Sequence, residues 1–488
     1  MGRTKYISYP RGSVDLYASP PYFYPKQKEM VIKYRYGVII LMCILYTSVL
    51  NAQGIFERSL NNTENALKSG PELSGFIRGV SYMNVSNGEA YTNATYSSLG
   101  LRISSTLGKY GKAFADLRFK SGQQFGESLS LLDVKEAWAA FYLNRLSITM
   151  GKQIIAWGRA DGFNPTNHLG SQDYFFLSPD HDDLRLGSFM LRSTWNPIDP
   201  LSVEVILVPG YQASNYRFDL IAMPEYVQIQ NNMAPIVKLS EGSIALKADY
   251  RGRVLEGAIS YFRGYDHLPG LRIAEVAAPP FDPFFLRLAT APYRQQSFGA
   301  DGAITLGKTI VRTELSLKMP LTEGSQLSNL PHKELNMVVG IEPSLGSLHI
   351  IAQYIGKYIP QFTLPDDIQE MNPEALADPA NWPYLAGMLN QNISFYNQIL
   401  FEQQHEYYHS GMINCSVDFF QQRLSANITA LYNFTTDEYM LNPAFHYKPG
   451  DQLSIKLGYQ YFTGPVNTRF HWIKDLFSGP YAEIRISF

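Results

Sequence analysis

The last nine residues, Pro480-Tyr481-Ala482-Glu483-Ile484-Arg485-Ile486-Ser487-Phe488, alternate strictly. Ala482, Ile484, Ile486 and Phe488 share one face, and Tyr481, Glu483, Arg485 and Ser487 share the other. Successive side chains of a strand point to opposite faces, so this is a strand with one apolar and one polar side. An edge strand of a soluble β-protein has the same local pattern. A chain that ends on an aromatic, with an apolar outside and a charged inside, suits the closing strand of a transmembrane β-barrel.

The same alternation recurs. Ala113, Ala115, Leu117 and Phe119 oppose Lys112, Asp116, Arg118 and Lys120. Leu146, Ile148 and Met150 oppose Arg145, Ser147 and Thr149. Ile244, Leu246, Ala248 and Tyr250 oppose Ser243, Lys247, Asp249 and Arg251. Leu453, Ile455, Leu457 and Tyr459 oppose Gln452, Ser454, Lys456 and Gln460. Strand-like segments fall at 73–84, 94–106, 110–121, 129–143, 145–156, 185–196, 200–208, 240–251, 253–264, 297–306, 308–318, 333–342, 346–356, 408–420, 423–434, 438–448, 451–462 and 479–488. The pattern predicts an all-β, antiparallel transmembrane barrel of 16–18 strands with long extracellular loops.

Connection lengths supply a second signal. Short links such as Gly108-Lys109, Asn144, Gly252, Gly307 and Pro449-Gly450 alternate with links that are usually longer: 85–93, 122–128, 157–184, 209–239, 265–296, 319–332, 357–407, 435–437 and 463–478. Barrels have short periplasmic turns and longer outer loops, so the expected frame places both termini in the periplasm. A soluble sandwich does not keep this alternation over so many hairpins.

The opposite end reads as an export signal. Lys33 and Arg35 precede the apolar run 38–50, and Asn51-Ala52-Gln53 follow it. Basic, then apolar, then small is the order of a secretory signal peptide, with Ala52 the last residue removed. Thirteen residues are too few to span a bilayer as a helix. A signal needs its basic region near the start of translation, so Met30 is the expected initiator. Residues 1–29 are then a non-native upstream extension, 30–52 the signal, 53–72 a short periplasmic segment and 73–488 the barrel. Met42 before Cys43 argues against lipidation. Cys415 alone remains in the mature chain and cannot form an internal disulfide.

Residues 1–52 hold seven basic and two acidic residues, so the remainder carries 34 Lys and Arg against 41 Asp and Glu, a net charge of −7. Nothing here favours nucleic acid. Charged residues are 17% of the chain, below the roughly 25% of a typical soluble domain. Tyr and Phe are abundant, at 33 and 28, and barrels need aromatics at both interfaces. The mean hydropathy of −0.15 does not oppose a membrane location, because alternating strands dilute their own hydropathy.

The loop 157–184 is dense in Asp, Asn and Gly beside a strand end. Arg159 and Asp161 could pair across a turn, and Asp180, Asp182 and Asp183 could bind Ca²⁺, although their spacing matches no defined calcium loop. Arg159, Asp161, Asp182, Asp183 and Arg185 are expected to gather where the loop leaves its strands and to contact passing solutes. On the polar faces lie Lys112, Asp116, Arg118, Lys120, Lys247, Asp249, Arg251, Arg312, Glu314, Lys318, Lys456, Glu483 and Arg485. They either set a field across a watery lumen or interlock and close it. No row of one sign stands out, so strong ion selection is not indicated.

His405-Glu406-Tyr407-Tyr408-His409 matches H-E-x-x-H, which needs a helix to bring both histidines to one zinc. Residues 391–406 could form that helix, but Tyr408-His409-Ser410 runs into a predicted strand and no third ligand stands nearby. No local cluster assembles a Ser-His hydrolase. Neither a cofactor motif nor catalytic chemistry is expected. Only about 20 residues precede the first strand in the mature chain, which argues against a plugged receptor.

Gly151-Lys152-Gln153, Trp157-Gly158, Asn164-Pro165 and Asp183-Leu184-Arg185 resemble the strand–loop–strand segment of uncharacterised porin-like outer-membrane families of Gram-negative bacteria. The terminal Phe488 strand resembles the signal by which outer-membrane proteins are recognised for insertion. The leader ending Leu50-Asn51-Ala52-Gln53 is similar to those of the Bacteroidota. The resemblance implies an outer-membrane barrel that meets lipid, lipopolysaccharide and the barrel-assembly machinery. Such families imply no settled substrate; the pattern of the chain itself favours a channel or transporter for small solutes, without covalent chemistry. An adhesion or assembly barrel acting through its loops, or a membrane-embedded hydrolase, are the alternatives.

Overall fold

The structure is a computed structural model, and it describes residues 70–86, 89–221, 227–230, 238–277, 285–321, 330–363 and 379–488. The proposed extension and signal, 1–52, and nearly all of the proposed periplasmic segment lie outside the described residues.

In chain order the strands are β1 Glu72–Ser86, β2 Glu89–Leu107, β3 Gly111–Gln124, β4 Glu127–Leu143, β5 Leu146–Gln153, β6 Ser188–Ile198, β7 Leu201–Val208, β8 Val227–Gln230, β9 Ser243–Arg251, β10 Leu255–Tyr265, β11 Gly270–Ala277 and β12 Phe285–Ala291. They continue as β13 Arg294–Leu306, β14 Thr309–Pro320, β15 Glu334–Leu345, β16 Leu348–Tyr358, β17 Tyr407–Phe419, β18 Leu424–Asn433, β19 Glu438–Tyr447, β20 Leu453–Thr463 and β21 Gly479–Ser487. Helices α1 (Trp382–Phe401) and α2 (Arg469–Phe477) lie in loops.

Eighteen strands form one antiparallel sheet, each paired with its neighbour along the chain, and β21 pairs back onto β1. The backbone of Phe488 completes the seam by exchanging hydrogen bonds with Gly75, at 2.8 and 2.9 Å. Closure follows from the solvent. Hydrocarbon offers no partner to a free N–H or C=O, so a sheet can cross only if it has no edge. All eighteen predicted segments coincide with barrel strands.

The barrel is apolar outside and polar inside. Ile484, Ile486 and Phe488 are 56%, 52% and 53% exposed, whereas Glu483, which directly precedes Ile484, is 6% exposed. The same rule exposes Leu99, Phe119, Met150, Leu246, Leu315 and Leu457. Outward aromatics ring both rims. Phe141, Trp195 and Tyr447 stand near the short turns, and Tyr91, Tyr407, Tyr432 and Tyr439 near the opposite end. Such girdles suit the two interfaces of a bilayer.

Three loop expectations need correction. β3 and β4 run on to a two-residue turn at Phe125-Gly126, so 122–128 is no long loop; β1 and β2 likewise reach Ser86 and Glu89. The residues there are polar on both faces, which hides the strand period, yet the ladder continues because its backbone groups still need partners. The links 209–239 and 265–296 hold a separate sheet in which β12 pairs β11 antiparallel and β8 parallel. The helix of the last long loop spans 382–401 rather than 391–406.

Candidate functional site

Between β5 and β6, residues 154–187 leave the wall and cross the lumen. Apolar residues anchor the segment at both sides. Ile155, Trp157 and Leu169 pack with Met190, Ile206, Ala245 and Phe262 on the inner wall from β6 to β10. Phe176 and Leu177 pack with Val80, Tyr82, Tyr96 and Tyr481 on the wall of β1, β2 and β21. Inward apolar residues therefore seat the loop, while outward ones face lipid.

Polar contacts fix its first half to one wall. The indole Nε1 of Trp157 donates to Glu204 at 2.8 Å. The guanidinium of Arg159 forms ion pairs with Asp249, Asp301 and Glu256, the last at 3.2 Å. Glu314 on β14 accepts from the backbone N–H groups of Arg159 at 2.5 Å and Ala160 at 2.6 Å, and from the Thr166 hydroxyl at 2.8 Å. Gly158, with φ +94°, makes this approach possible. A Cβ there would stand 2.1 Å from Asn164 and 2.5 Å from Glu314. Asp161 pairs with Arg312, not with Arg159.

The second half docks on the facing wall. Arg78 of β1 pairs with Asp183 and, at 3.1 Å, with Glu483. Ser178 donates to Asp183 at 2.6 Å. Burial opposes the charge of Asp183, but Arg78 and the Ser178 hydroxyl outweigh it and hold the carboxyl below its ordinary range. Lys135 donates to the Asp182 carbonyl. The ammonium of Lys120 lies 3.5 Å from the centre of the Phe176 ring. Asp180 caps the short 3-10 turn 181–184 by accepting from Asp182 N–H at 3.1 Å, and Arg485 approaches Asp180 at 3.7 Å.

The five loop residues expected to gather are thus divided. Arg159 and Asp161 stand at one wall. Asp182, Asp183 and Arg185 stand at the other, where Asp182 and Arg185 pair at 3.2 Å and both are well exposed. Arg159, Asp161 and Asp183 were drawn to opposite walls by charges far along the chain. Among the described residues no three His, Cys, Asp or Glu side chains converge on a metal position.

The polar-face residues point inward as their period requires. Asp116 binds Arg102 at 3.1 Å and Arg118 at 2.6 Å, and Arg251 binds Asp249 at 2.7 Å. Lys247 borders a cavity beneath the loop, and Lys112 shares the face of Asp116. Arg78 escaped the sequence reading because its face also carries Phe76, Val80 and Tyr82, so β1 does not read as polar inside. Glu204, Glu256 and Asp301 lie on legible polar faces, but only the fold brings them to Trp157 and Arg159.

The loop leaves a cavity on each side. One of about 610 Å³ lies toward the short turns, bordered by Trp157, Arg192, Glu204, Lys247, Asp249 and Arg251. Another of about 530 Å³ lies toward the long loops. The H-E-x-x-H match is not a helical site. α1 ends at Phe401, His409 lies in β17, and its Nδ1 meets the Tyr354 hydroxyl at 2.6 Å.

A closed eighteen-stranded barrel, apolar outside and crossed within by a loop, is a porin-type transmembrane β-barrel. No protein-family profile and no curated protein matches the chain. Among solved structures it is similar to Pseudomonas aeruginosa OccK5 (OpdH), at 14% identity over 86% of this chain and 97% of that one, with a TM-score of 0.46. It is also similar to Pseudomonas aeruginosa OccK2 (OpdF) in complex with glucuronate, at 11% identity, 86% and 97% coverage and a TM-score of 0.49. A third is Pseudomonas aeruginosa OpdK with vanillate, at 11% identity, 86% and 98% coverage and a TM-score of 0.49.

Proposed function

We propose that the chain is an outer-membrane channel for small solutes, with residues 154–187 as its constriction. One observation carries this reading. The loop crosses the lumen and is pinned to both walls, yet leaves cavities of about 610 and 530 Å³ on its two sides. A barrel that served only to display loops needs no such internal partition. Passage requires no covalent chemistry; solutes step between cavities past the charges that hold the loop. In the same reading the termini and short turns face the periplasm, the long loops face outward, and 30–52 direct export. Arg159, Asp161, Asp182, Asp183 and Arg185 border the path. Purified protein in planar bilayers should carry a steady single-channel current. Silence from a barrel shown to be folded by heat-modifiable gel mobility would overturn the proposal.

A further inference from the structure

The cavity toward the long loops differs in character from the one below it. Its walls include the rings of Phe163, Phe175, Phe218, Trp472 and Phe477. Its charged groups are three cations, Lys318, Lys357 and Arg469, and three anions, Asp266, Glu334 and Glu402. Most are joined in one chain: Lys318 to Glu334 at 3.6 Å, Lys357 to Glu334 at 3.5 Å, Lys357 to Glu402 at 3.5 Å and Arg469 to Glu402 at 2.7 Å. Asp266 is occupied too, accepting from the Leu268 N–H at 2.7 Å and from Gln295. Charges that neutralise one another leave little to attract an ion.

Buried nitrogens without partners in this lining belong to His168, His267 and Arg469, whose Nε only donates. Neither ring nitrogen of His168 has a hydrogen-bond partner, and Nε2 of His267 has none. Both residues line the cavity. His267 meets the Gln212 carbonyl through Nδ1 at 2.7 Å, so Nδ1 carries the proton and Nε2 is an acceptor. Burial pushes the imidazole of His168 down to about 3, and it stays neutral. It therefore offers one donor and one acceptor. A carboxylate only accepts and cannot satisfy His267 Nε2. An ammonium only donates. A hydroxyl does both.

We propose that this cavity binds an uncharged carbohydrate, a hexose unit or short oligosaccharide, with its C–H faces on the aromatic walls and its hydroxyls on His168 and His267. Apolar walls with a few placed polar groups are the general form of a small-molecule site, and the volume lies within the range of about 300–1,000 Å³ seen for such sites. The inference deepens the channel reading by naming a solute class. It is tested by binding, so the two can fail separately.

The test is calorimetric titration of the folded, detergent-solubilised protein with maltose and with maltobionate, its carboxylate counterpart of similar size. The expected result is saturable binding of maltose, weakened at least tenfold by His168→Leu. Lys247→Gln, in the other cavity, should bind maltose as the parent does. His267→Phe is the second cavity variant if His168→Leu loses its heat-modifiable mobility, and the same tenfold weakening is expected. No saturable maltose binding by a folded barrel, tighter binding of maltobionate, or unchanged affinity in a folded cavity variant would each overturn the proposal. A steady bilayer current alongside that failure would leave the channel reading standing.

Discussion

Glu314, on the inner face of β14, accepts hydrogen bonds from both the hydroxyl and the backbone N–H of Thr166, at 2.8 and 3.3 Å. The two residues are 148 positions apart. One carboxylate thus caps a turn of the crossing loop, and the loop's position depends on a strand far along the chain.

Glu314→Ala should release that turn. Each donor left buried and unpaired costs about 1–3 kcal/mol, and the Arg159, Ala160 and Thr166 donors all lose their acceptor. The barrel ladder does not depend on them. Single-channel recording should show larger or noisier conductance with unchanged heat-modifiable mobility. A current identical to the parent's would mean the loop does not limit passage.

Ile484→Lys should impair insertion more than Glu483→Gln. A lipid-facing Lys costs about 2–4 kcal/mol near the midplane and less toward the rim. Glu483 faces inward and binds Arg78, so its amide variant weakens a latch rather than the membrane contact. Gel mobility before and after heating compares the folded fractions. Equal fractions would refute the assignment of faces.

Acid should loosen the docked end of the loop. Asp183, outside the strands, has its pKa lowered from 3.8 in the folded protein. Its contribution is complete above the ordinary carboxylate value and is lost as pH falls through the lowered one. Conductance recorded in steps below pH 4 should become unsteady in the parent. Asp183→Asn should already be unsteady at neutral pH and show no further change from this group.

Asp182→Asn should shift the reversal potential across a salt gradient without unfolding the barrel. The Asp182 carboxylate is exposed and pairs with Arg185. Its loss removes one negative charge from the proposed path. An unchanged potential at normal conductance would leave Asp182 as a loop stabiliser.

The mature protein should begin near Gln53 and fractionate with outer membranes. N-terminal sequencing of native material checks this, and a retained 38–50 segment would sink the export reading.

The barrel was legible because the membrane imposes a short-range rule. A closed sheet in lipid must turn apolar residues outward and can turn polar ones inward, which writes a period of two into each strand. Leu117 beside Arg118, or Ile484 beside Arg485, states its face without reference to the rest of the molecule. The rule also sets where reading stops. It is silent where both faces are polar, as around Phe125-Gly126, and it misleads where inward residues are apolar because a loop covers them, as with Val80 and Tyr82 around Arg78.

By itself, the sequence determined that the chain closes as an antiparallel barrel and which side chains most strands send to lipid. Only the tertiary structure decided which inward charges meet. Arg159 finds Asp249 and Glu256, 90 and 97 residues away, and Arg78 finds Glu483, 405 residues away. Facing a lipid is a property of one residue and its neighbours. Pairing across a lumen depends on closure and on the path of a loop, and no local period encodes either.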